Sequence, residues 1–331
     1  MAQSTPSQPP PAGMYVPAPT FFASKTSLSP TSLPLDLDTQ VAHSIYLARA
    51  GIRGIVLLGS TGEAIHLRTA ERAEVLVAVR KGLDEAGFKD YPLIAGTASQ
   101  NIDETVEQLE VAKQSGAGWG LVLAPGYFAG GVSQDAMAAW FTAVADRSPI
   151  PVMIYHYPAV SNNVKFLPST QAKLSTHPNI VGCKLSHGDV SVHCQVSSHP
   201  DIDHSRFLTF TGLGQQLLPM MSVGGAGAID GSAGVFPRTH VRLWELCRLP
   251  RPSDEEIAER RQLQYKVSCM EELVNSHGTV GIKEAASRLR GFGEVDGGRL
   301  PLARGLAGEG GWERWEGVIS AVEEEEKRLE G

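Results

Sequence analysis

The chain has 331 residues, 42% of them hydrophobic and 20% charged, with 35 glycines. That is an ordinary globular composition, enough for one large domain or two small ones. A formal charge of -7 without a lysine- or arginine-rich stripe argues against a nucleic-acid partner, and no apolar stretch approaches bilayer-spanning length.

The first 14 residues are polar and proline-rich, with no basic residue and no apolar core. They look like neither a secretory signal nor an arginine-rich presequence, so a cytoplasmic protein with a flexible tail over residues 1–12 is expected. Short apolar runs then alternate with longer amphipathic stretches. Strands are predicted at 14–18 and 54–58, the second running into Gly59-Ser60-Thr61-Gly62-Glu63. Residues 69–80 carry apolar side chains at helical spacing, and a third strand follows at 93–95. Asn101 has the position of an N-cap for a helix through 105–115. The fourth strand, 118–123, leads to Pro125-Gly126-Tyr127, and the fifth, 151–155, ends in Tyr155. The sixth, 180–184, runs straight into Lys184 and is followed by Gly188-Asp189. Strands at 208–211 and 227–229 complete the set.

Beyond Gly234 the pattern turns helical, over 236–247, 254–276, 280–289 and 311–329. The run Glu323-Glu324-Glu325-Glu326 in the last stretch reads as a solvated helix face. Eight short strands alternating with helices predict an α/β fold, a closed (β/α)8 TIM barrel. A doubly wound open sheet would show G-x-G-x-x-G after its first strand, and none is present. One domain is expected: a barrel core over 13–235, then the last barrel helix plus a C-terminal helical extension over 236–331.

Active sites of such barrels form where the strands end. There the sequence places a glycine-flanked hydroxyl pair (Ser60, Thr61), two phenols (Tyr127, Tyr155) and an amine (Lys184). Each alone has a plain structural reading: a turn that needs positive φ, an ordinary rim or core tyrosine, a lysine paired with Asp189. Their coincidence on one rim suggests chemistry. A lysine among apolar walls loses hydration, its pKa falls, and the neutral amine can form an imine with a ketone. Ser60 and Thr61, in a turn before a helix, can hold a small carboxylate. Tyr155 can move protons, and Tyr127 can extend that relay to solvent or to a phenol from a neighbouring subunit. The four cysteines, Cys183, Cys194, Cys247 and Cys269, show no C-x-x-C pair, and the ten histidines are scattered. Reduced thiols, no metal and no organic cofactor are expected.

These residues resemble the dihydrodipicolinate synthase/N-acetylneuraminate lyase family of class I, pyruvate-handling aldolases. The likeness rests on Gly59-Ser-Thr-Gly-Glu63, Ile94-Ala-Gly-Thr97, Tyr155-His-Tyr-Pro158, Ile180-Val-Gly-Cys-Lys184 with Gly188-Asp189, and Gly224-Gly-Ala-Gly-Ala-Ile229. It implies a barrel with a C-terminal helical extension, commonly a homotetramer. It also implies Schiff-base formation at Lys184, proton relay at Tyr155 and Tyr127, carboxylate binding at Ser60 and Thr61, and Gly212 and the Ile229 carbonyl along the pocket. The synthase branch carries an arginine two residues beyond the proline, where this chain has Val160, which cannot clamp a carboxylate. The sialic acid lyase branch carries acidic residues where this chain reads Gly212-Leu-Gly-Gln-Gln216. A 2-keto-3-deoxy acid aldolase is therefore expected, its neutral aldehyde met by His156, Asn162, Asn163 and Gln215. A 4-hydroxy-2-oxoglutarate aldolase is the alternative, supported by Ser148-Pro-Ile-Pro-Val152 and His177-Pro-Asn-Ile-Val-Gly182. A tetrahydrodipicolinate synthase, a dehydratase and a catalytically silent binding barrel are the remaining readings.

Overall fold

The structure, a computed structural model, describes residues 7–25, 33–306 and 311–330. Eight parallel strands close into one barrel in chain order: β1 (Gly13–Pro17), β2 (Gly54–Leu57), β3 (Leu93–Gly96), β4 (Trp119–Leu123), β5 (Val152–His156), β6 (Ile180–Leu185), β7 (Leu208–Thr211) and β8 (Gly227–Ile229). Every predicted strand is found within one residue at each end. Parallel strands covered by helices are buried on both faces and so read as short continuous apolar runs.

Helices α1 (Leu37–Arg49), α2 (Thr69–Glu85), α3 (Ile102–Gln114), α4 (Gln134–Arg147), α5 (Pro168–Ser175), α6 (Val190–Ser197), α7 (Leu217–Ser222) and α8 (Pro237–Arg248) follow the strands in turn. Asn101 does cap α3, its side chain accepting from the Glu104 N–H. The predicted segments 254–276 and 280–289 join as α9 (Asp254–Arg290), which breaks at Gly278 with φ 54° and ψ -134°. A left-handed φ of that kind is cheap only for glycine. The chain closes with α10 (Glu316–Arg328). Among the described residues, no helix is long and apolar enough to cross a membrane.

The lumen is packed by inward side chains including Tyr15, Val56, Met153, Val181 and Phe210, with Tyr15 and Phe210 edge to face at 5.6 Å. Burying each such aromatic contributes on the order of 2–3 kcal/mol. Residues 7–12, expected within a loose tail, instead lie tied to the barrel. The Ser7 N–H donates to the Pro178 carbonyl, Trp119 Nε1 donates to the Gln8 carbonyl at 2.9 Å, and the Tyr15 hydroxyl donates to the Pro11 carbonyl.

One irregularity decides the function of β6. Its register against β5 shifts between Val152 and Met153, which pair with Ile180 and Gly182 and leave Val181 as an extra residue. Side chains alternate along a strand, so a one-residue bulge reverses which face the rest of it presents. Val181 and Lys184 therefore both face the lumen. Gly182 is required there, since a Cβ would lie 2.4 Å from the Leu208 carbonyl oxygen.

Candidate active site

The restored register pairs Tyr155 of β5 with Lys184 of β6. The Lys184 ammonium nitrogen stands 4.6 Å from the centre of the Tyr155 ring. Lys184 is only 4% exposed. Burial lowers its pKa from 10.5 to about 8, against the opposing pull of Asp230 and Glu271. The expected alternative, pairing with Asp189, does not occur: Asp189 is exposed and caps α6 by accepting from the Val192 N–H.

Tyr155 is buried, with its hydroxyl 3.1 Å from Ser60 Oγ. Burial raises its pKa to about 12, although hydrogen bonds to Ser60 and Ser186 work in the other direction. The turn that carries Ser60 is shaped differently from the expectation. Its positive φ values fall on Leu58 (62°) and Glu63 (51°) rather than on the glycines. A bulky residue held left-handed stores about 1 kcal/mol or more, which the surroundings must impose. Here they do so through buried ion pairs to the C-terminal region. Glu63 accepts from Lys283 of α9 and from the Arg299 N–H, and Arg299 forks onto Glu71. Within the turn, the Ser60 and Thr61 backbone N–H groups donate to no described residue.

A cavity of about 680 Å³ opens above Lys184. Its walls include Ser60, Thr61, Tyr155, Val160, Lys184, Gly212, Gln215 and Ile229. Gly212 is a glycine because a Cβ would lie 1.8 Å from Ser186 Oγ and 3.0 Å from Lys184 Cε. Gln215 brings a buried amide oxygen that has no hydrogen-bond partner. Val160, 46% exposed, sits at the mouth.

Three expected contacts are absent from these walls. His156 lies behind them, accepting from the Phe166 N–H and facing the Phe166 ring. Asn162, left-handed at φ 48°, donates outward to the Gly126 carbonyl. Asn163, also left-handed at φ 60°, does not reach the cavity either. Tyr127 is 74% exposed and lines a separate cavity of about 550 Å³ with Phe128, Gln100 and Trp140. Within one chain it does not meet Lys184.

The structure adds residues that motif reading passed over. Ser186 and His187 line the cavity, and Ser186 could have been found, since i and i+2 on a strand share a face. His187 Nδ1 accepts from the Asp189 N–H, which puts the ring proton on Nε2. Burial and the neighbouring His193 and His156 push its pKa down to about 3, so it is neutral. Asn275, His277 and Thr279, around the Gly278 break in α9, roof the cavity. Among the described residues one trio, Asp230, His240 and Glu271, brings metal-type donor atoms within 4.8 Å of one another. The Ser232 hydroxyl already bridges its imidazole and one carboxylate, at 2.8 and 2.9 Å, so we read it as a hydrogen-bonded network rather than an ion site.

Comparison with known proteins places this geometry in context. The profile of the Dihydrodipicolinate synthetase family matches residues 35–304. A protein of Emericella nidulans, named as a mitochondrial 4-hydroxy-2-oxoglutarate aldolase, is 36% identical over 85% of this chain and 86% of its own length. The L-threo-3-deoxy-hexylosonate aldolase of Hypocrea jecorina is 33% identical over 89% of this chain and 91% of its own. Among solved structures, a dihydrodipicolinate synthase family protein from Coccidioides immitis superposes with a TM-score of 0.81 at 28% identity, covering 97% of this chain and 99% of that one.

Proposed function

The chain belongs to the dihydrodipicolinate synthetase family, and from that premise we propose a Schiff-base aldolase that reversibly cleaves a 2-keto-3-deoxy acid to pyruvate and a neutral aldehyde. The observation that carries the reading is the buried Lys184, its pKa lowered to about 8, paired in register with Tyr155 at the floor of the cavity.

The substrate carboxylate sits on the Ser60 and Thr61 N–H groups and hydroxyls. The neutral Lys184 amine adds to the C2 ketone; the resulting C2 hydroxyl takes the Tyr155 phenol proton and leaves as water, so a protonated iminium forms beside a Tyr155 phenolate. The C3–C4 bond then breaks, its electron pair flowing into the iminium to give an enamine. The proton of the C4 hydroxyl passes to Tyr155 as the aldehyde carbonyl forms. A phenol at pKa about 12 is a poor resting base. The iminium charge, on a nitrogen 4.6 Å from its ring, favours the phenolate once the imine exists. Tyr155 passes that proton on to C3 of the enamine, and hydrolysis of the iminium releases pyruvate, frees the amine and returns a proton to the Tyr155 phenolate.

Substrate choice rests on the walls around the leaving aldehyde. Lys184 is the only lysine among the described lining residues and there is no arginine; Gln215, neutral His187 and Asn275 can hydrogen-bond hydroxyl groups, and Val160 offers no charge to a second carboxylate. The 36% identity to the Emericella protein favours the second reading, 4-hydroxy-2-oxoglutarate cleavage to pyruvate and glyoxylate. Assaying pyruvate release from a panel of 2-keto-3-deoxy acids and 4-hydroxy-2-oxoglutarate separates the two. Faster turnover of the dicarboxylate overturns the neutral-aldehyde reading. A silent barrel would give no borohydride-trapped pyruvate on Lys184. The exposed Tyr127 and Phe128 support assembly as a homotetramer in which Tyr127 completes the relay of a neighbouring cavity; sedimentation and a Tyr127→Phe variant test it.

A further inference from the structure

Behind Lys184 lies a buried acidic network that the cleavage chemistry above does not use. Asp230, directly after β8, and Glu271, on α9, are 0% and 1% exposed. A Glu271 carboxyl oxygen comes within 4.8 Å of donor atoms of Asp230 and His240. Asp230 is fully engaged as an acceptor: one oxygen takes the Gly214 N–H at 2.5 Å, the other the Ala233 N–H and the Ser232 hydroxyl, both at 2.9 Å. His240 completes the cluster, its Nδ1 against the Phe236 carbonyl at 2.8 Å. Glu271 is the contrast, since its Oε1 is buried and has no hydrogen-bond partner.

Two ionised carboxylates this close, out of water, repel strongly. Among the described residues neither is paired with a lysine or arginine; the His240 imidazole lies 3.4 Å from Asp230. The Asp230 carboxylate is held by the Gly214 N–H, two residues from Gly212, where a Cβ would lie 3.0 Å from Lys184 Cε, and negative charge on Asp230 or Glu271 favours the protonated Lys184. The two lysines of α9 are engaged elsewhere, Lys266 with Glu325 of α10 and Lys283 with Glu63.

We propose that Asp230 and Glu271 share a single proton, resident on Glu271, and act as one buried negative counter-charge to the Lys184 nitrogen. Asp230 keeps the charge because backbone and hydroxyl donors surround it, whereas Glu271 has none at Oε1. Burial and the adjacent Asp230 raise the Glu271 pKa well above the usual carboxylate value, consistent with that placement. The two residues touch no substrate; they are positioning residues that act through Lys184. A neutral amine needs no counter-charge, but the iminium that follows is a full cation in a buried site, and its stability sets how fast the C3–C4 bond yields its electrons. The network therefore limits how far burial lowers the Lys184 pKa and stabilises the cationic intermediate.

The inference rests on Lys184 being the imine-forming lysine, and the test separates the two. Purified wild-type, Asp230→Asn, Glu271→Gln and the double variant are compared for borohydride trapping of pyruvate, for the acid limb of kcat/KM against pH, and for kcat. Circular dichroism checks folding, and elemental analysis checks for bound metal. Either single change leaves one carboxyl to carry the charge, so each single variant keeps the acid limb within about 0.3 unit. The double variant loses the charge; its limb moves to lower pH by about one unit and kcat falls roughly tenfold, while KM changes little. A Glu271→Gln limb that moves as far as the double variant's overturns proton sharing. A double variant with an unmoved limb and kcat overturns the coupling, and a stoichiometric divalent ion overturns the network reading. If the double variant does not fold, a full-unit shift in either single variant still refutes the proposal. Absence of any pyruvate adduct in the wild type would instead refute Lys184 as the nucleophile.

Discussion

Replacing Lys184 by methionine should abolish turnover and make the protein more stable. The side chain is 4% exposed and its pKa falls from 10.5 to about 8, a difference of 2.5 units. At pH 7 this raises the neutral-amine fraction from about 0.03% to about 10%, roughly 300-fold more nucleophile. The same shift is a folding penalty. In the unfolded chain the lysine binds its proton up to its ordinary pKa, and in the native state it releases it near 8. Below pH 8 the penalty is fully present, about 3 kcal/mol. Between pH 8 and 10.5 the unfolded state binds more protons, so wild-type stability rises with pH by that amount. Methionine fills a similar volume without charge and removes the penalty. For a chain of this length 1 kcal/mol corresponds to about 1.5 °C, so the variant should melt about 5 °C higher at pH 7. The assay is thermal unfolding of both proteins at pH 7 and at pH 10. The gap should be wide at pH 7 and shrink at pH 10. A variant less stable than wild type at pH 7, or a gap independent of pH, would refute the claim that Lys184 is held against its protonation.

Other sites give further predictions. Tyr155→Phe should still trap pyruvate with borohydride, more slowly, and lower kcat by about 10²–10³, because water can slowly replace the phenol in imine formation but leaves the C4 proton without its acceptor; full turnover would remove Tyr155 from the relay. Lys283→Met leaves Glu63 buried without its cation and should destabilise the fold by about 3–5 kcal/mol in urea titration; Glu63→Gln combined with it should recover part of the loss. The Arg299 fork holds the Glu71 pKa down to about 2, so its stabilisation is present above pH 4.5 and is lost as pH falls through 2. Glu71→Gln should flatten that part of the acid-denaturation curve. Val160→Arg should introduce activity on a carboxylate-bearing aldehyde such as aspartate semialdehyde; indifference to the change would weaken the account of specificity.

The strands were readable because a parallel barrel buries both faces of each one, leaving short apolar runs between amphipathic helices. The rim chemistry was readable for the same reason: Ser60, Tyr155 and Lys184 sit at or just past strand ends, where topology alone brings them together. Two kinds of feature were not. Local irregularities leave no composition signal, such as the extra residue at Val181 or the left-handed Leu58 and Glu63. Alternation counted from Val181 without the bulge would turn Lys184 away from the lumen. Contacts made across the fold were equally hidden. Asn275 and Thr279 roof the cavity from α9, and Glu271 meets Asp230 although 41 positions separate them in the chain. His156 and the Asn162-Asn163 pair were expected at the aldehyde because they follow the relay tyrosine, yet the first faces the outer core and the 162–163 turn points away from the cavity.

This division explains why reaction class and substrate are separable in the molecule. The imine machinery lies on strands or directly at their ends, where backbone pairing fixes Tyr155 against Lys184 and leaves little freedom for change without loss of the barrel. The walls that meet the aldehyde come from elsewhere: Val160 and Gln215 from short 3-10 turns after β5 and β7, and Asn275, His277 and Thr279 from either side of the break at Gly278. Those positions line the roof and mouth rather than filling the lumen, so side chains there can change at smaller cost to stability. A difference in aldehyde preference of 10²- to 10³-fold needs about 3–4 kcal/mol of differential contact, which one buried charge or two unmatched hydroxyls can supply. Substrate identity should therefore follow the roof and mouth residues, and exchanging Val160, Gln215 and Asn275 together should redirect the aldehyde while pyruvate still forms its adduct on Lys184.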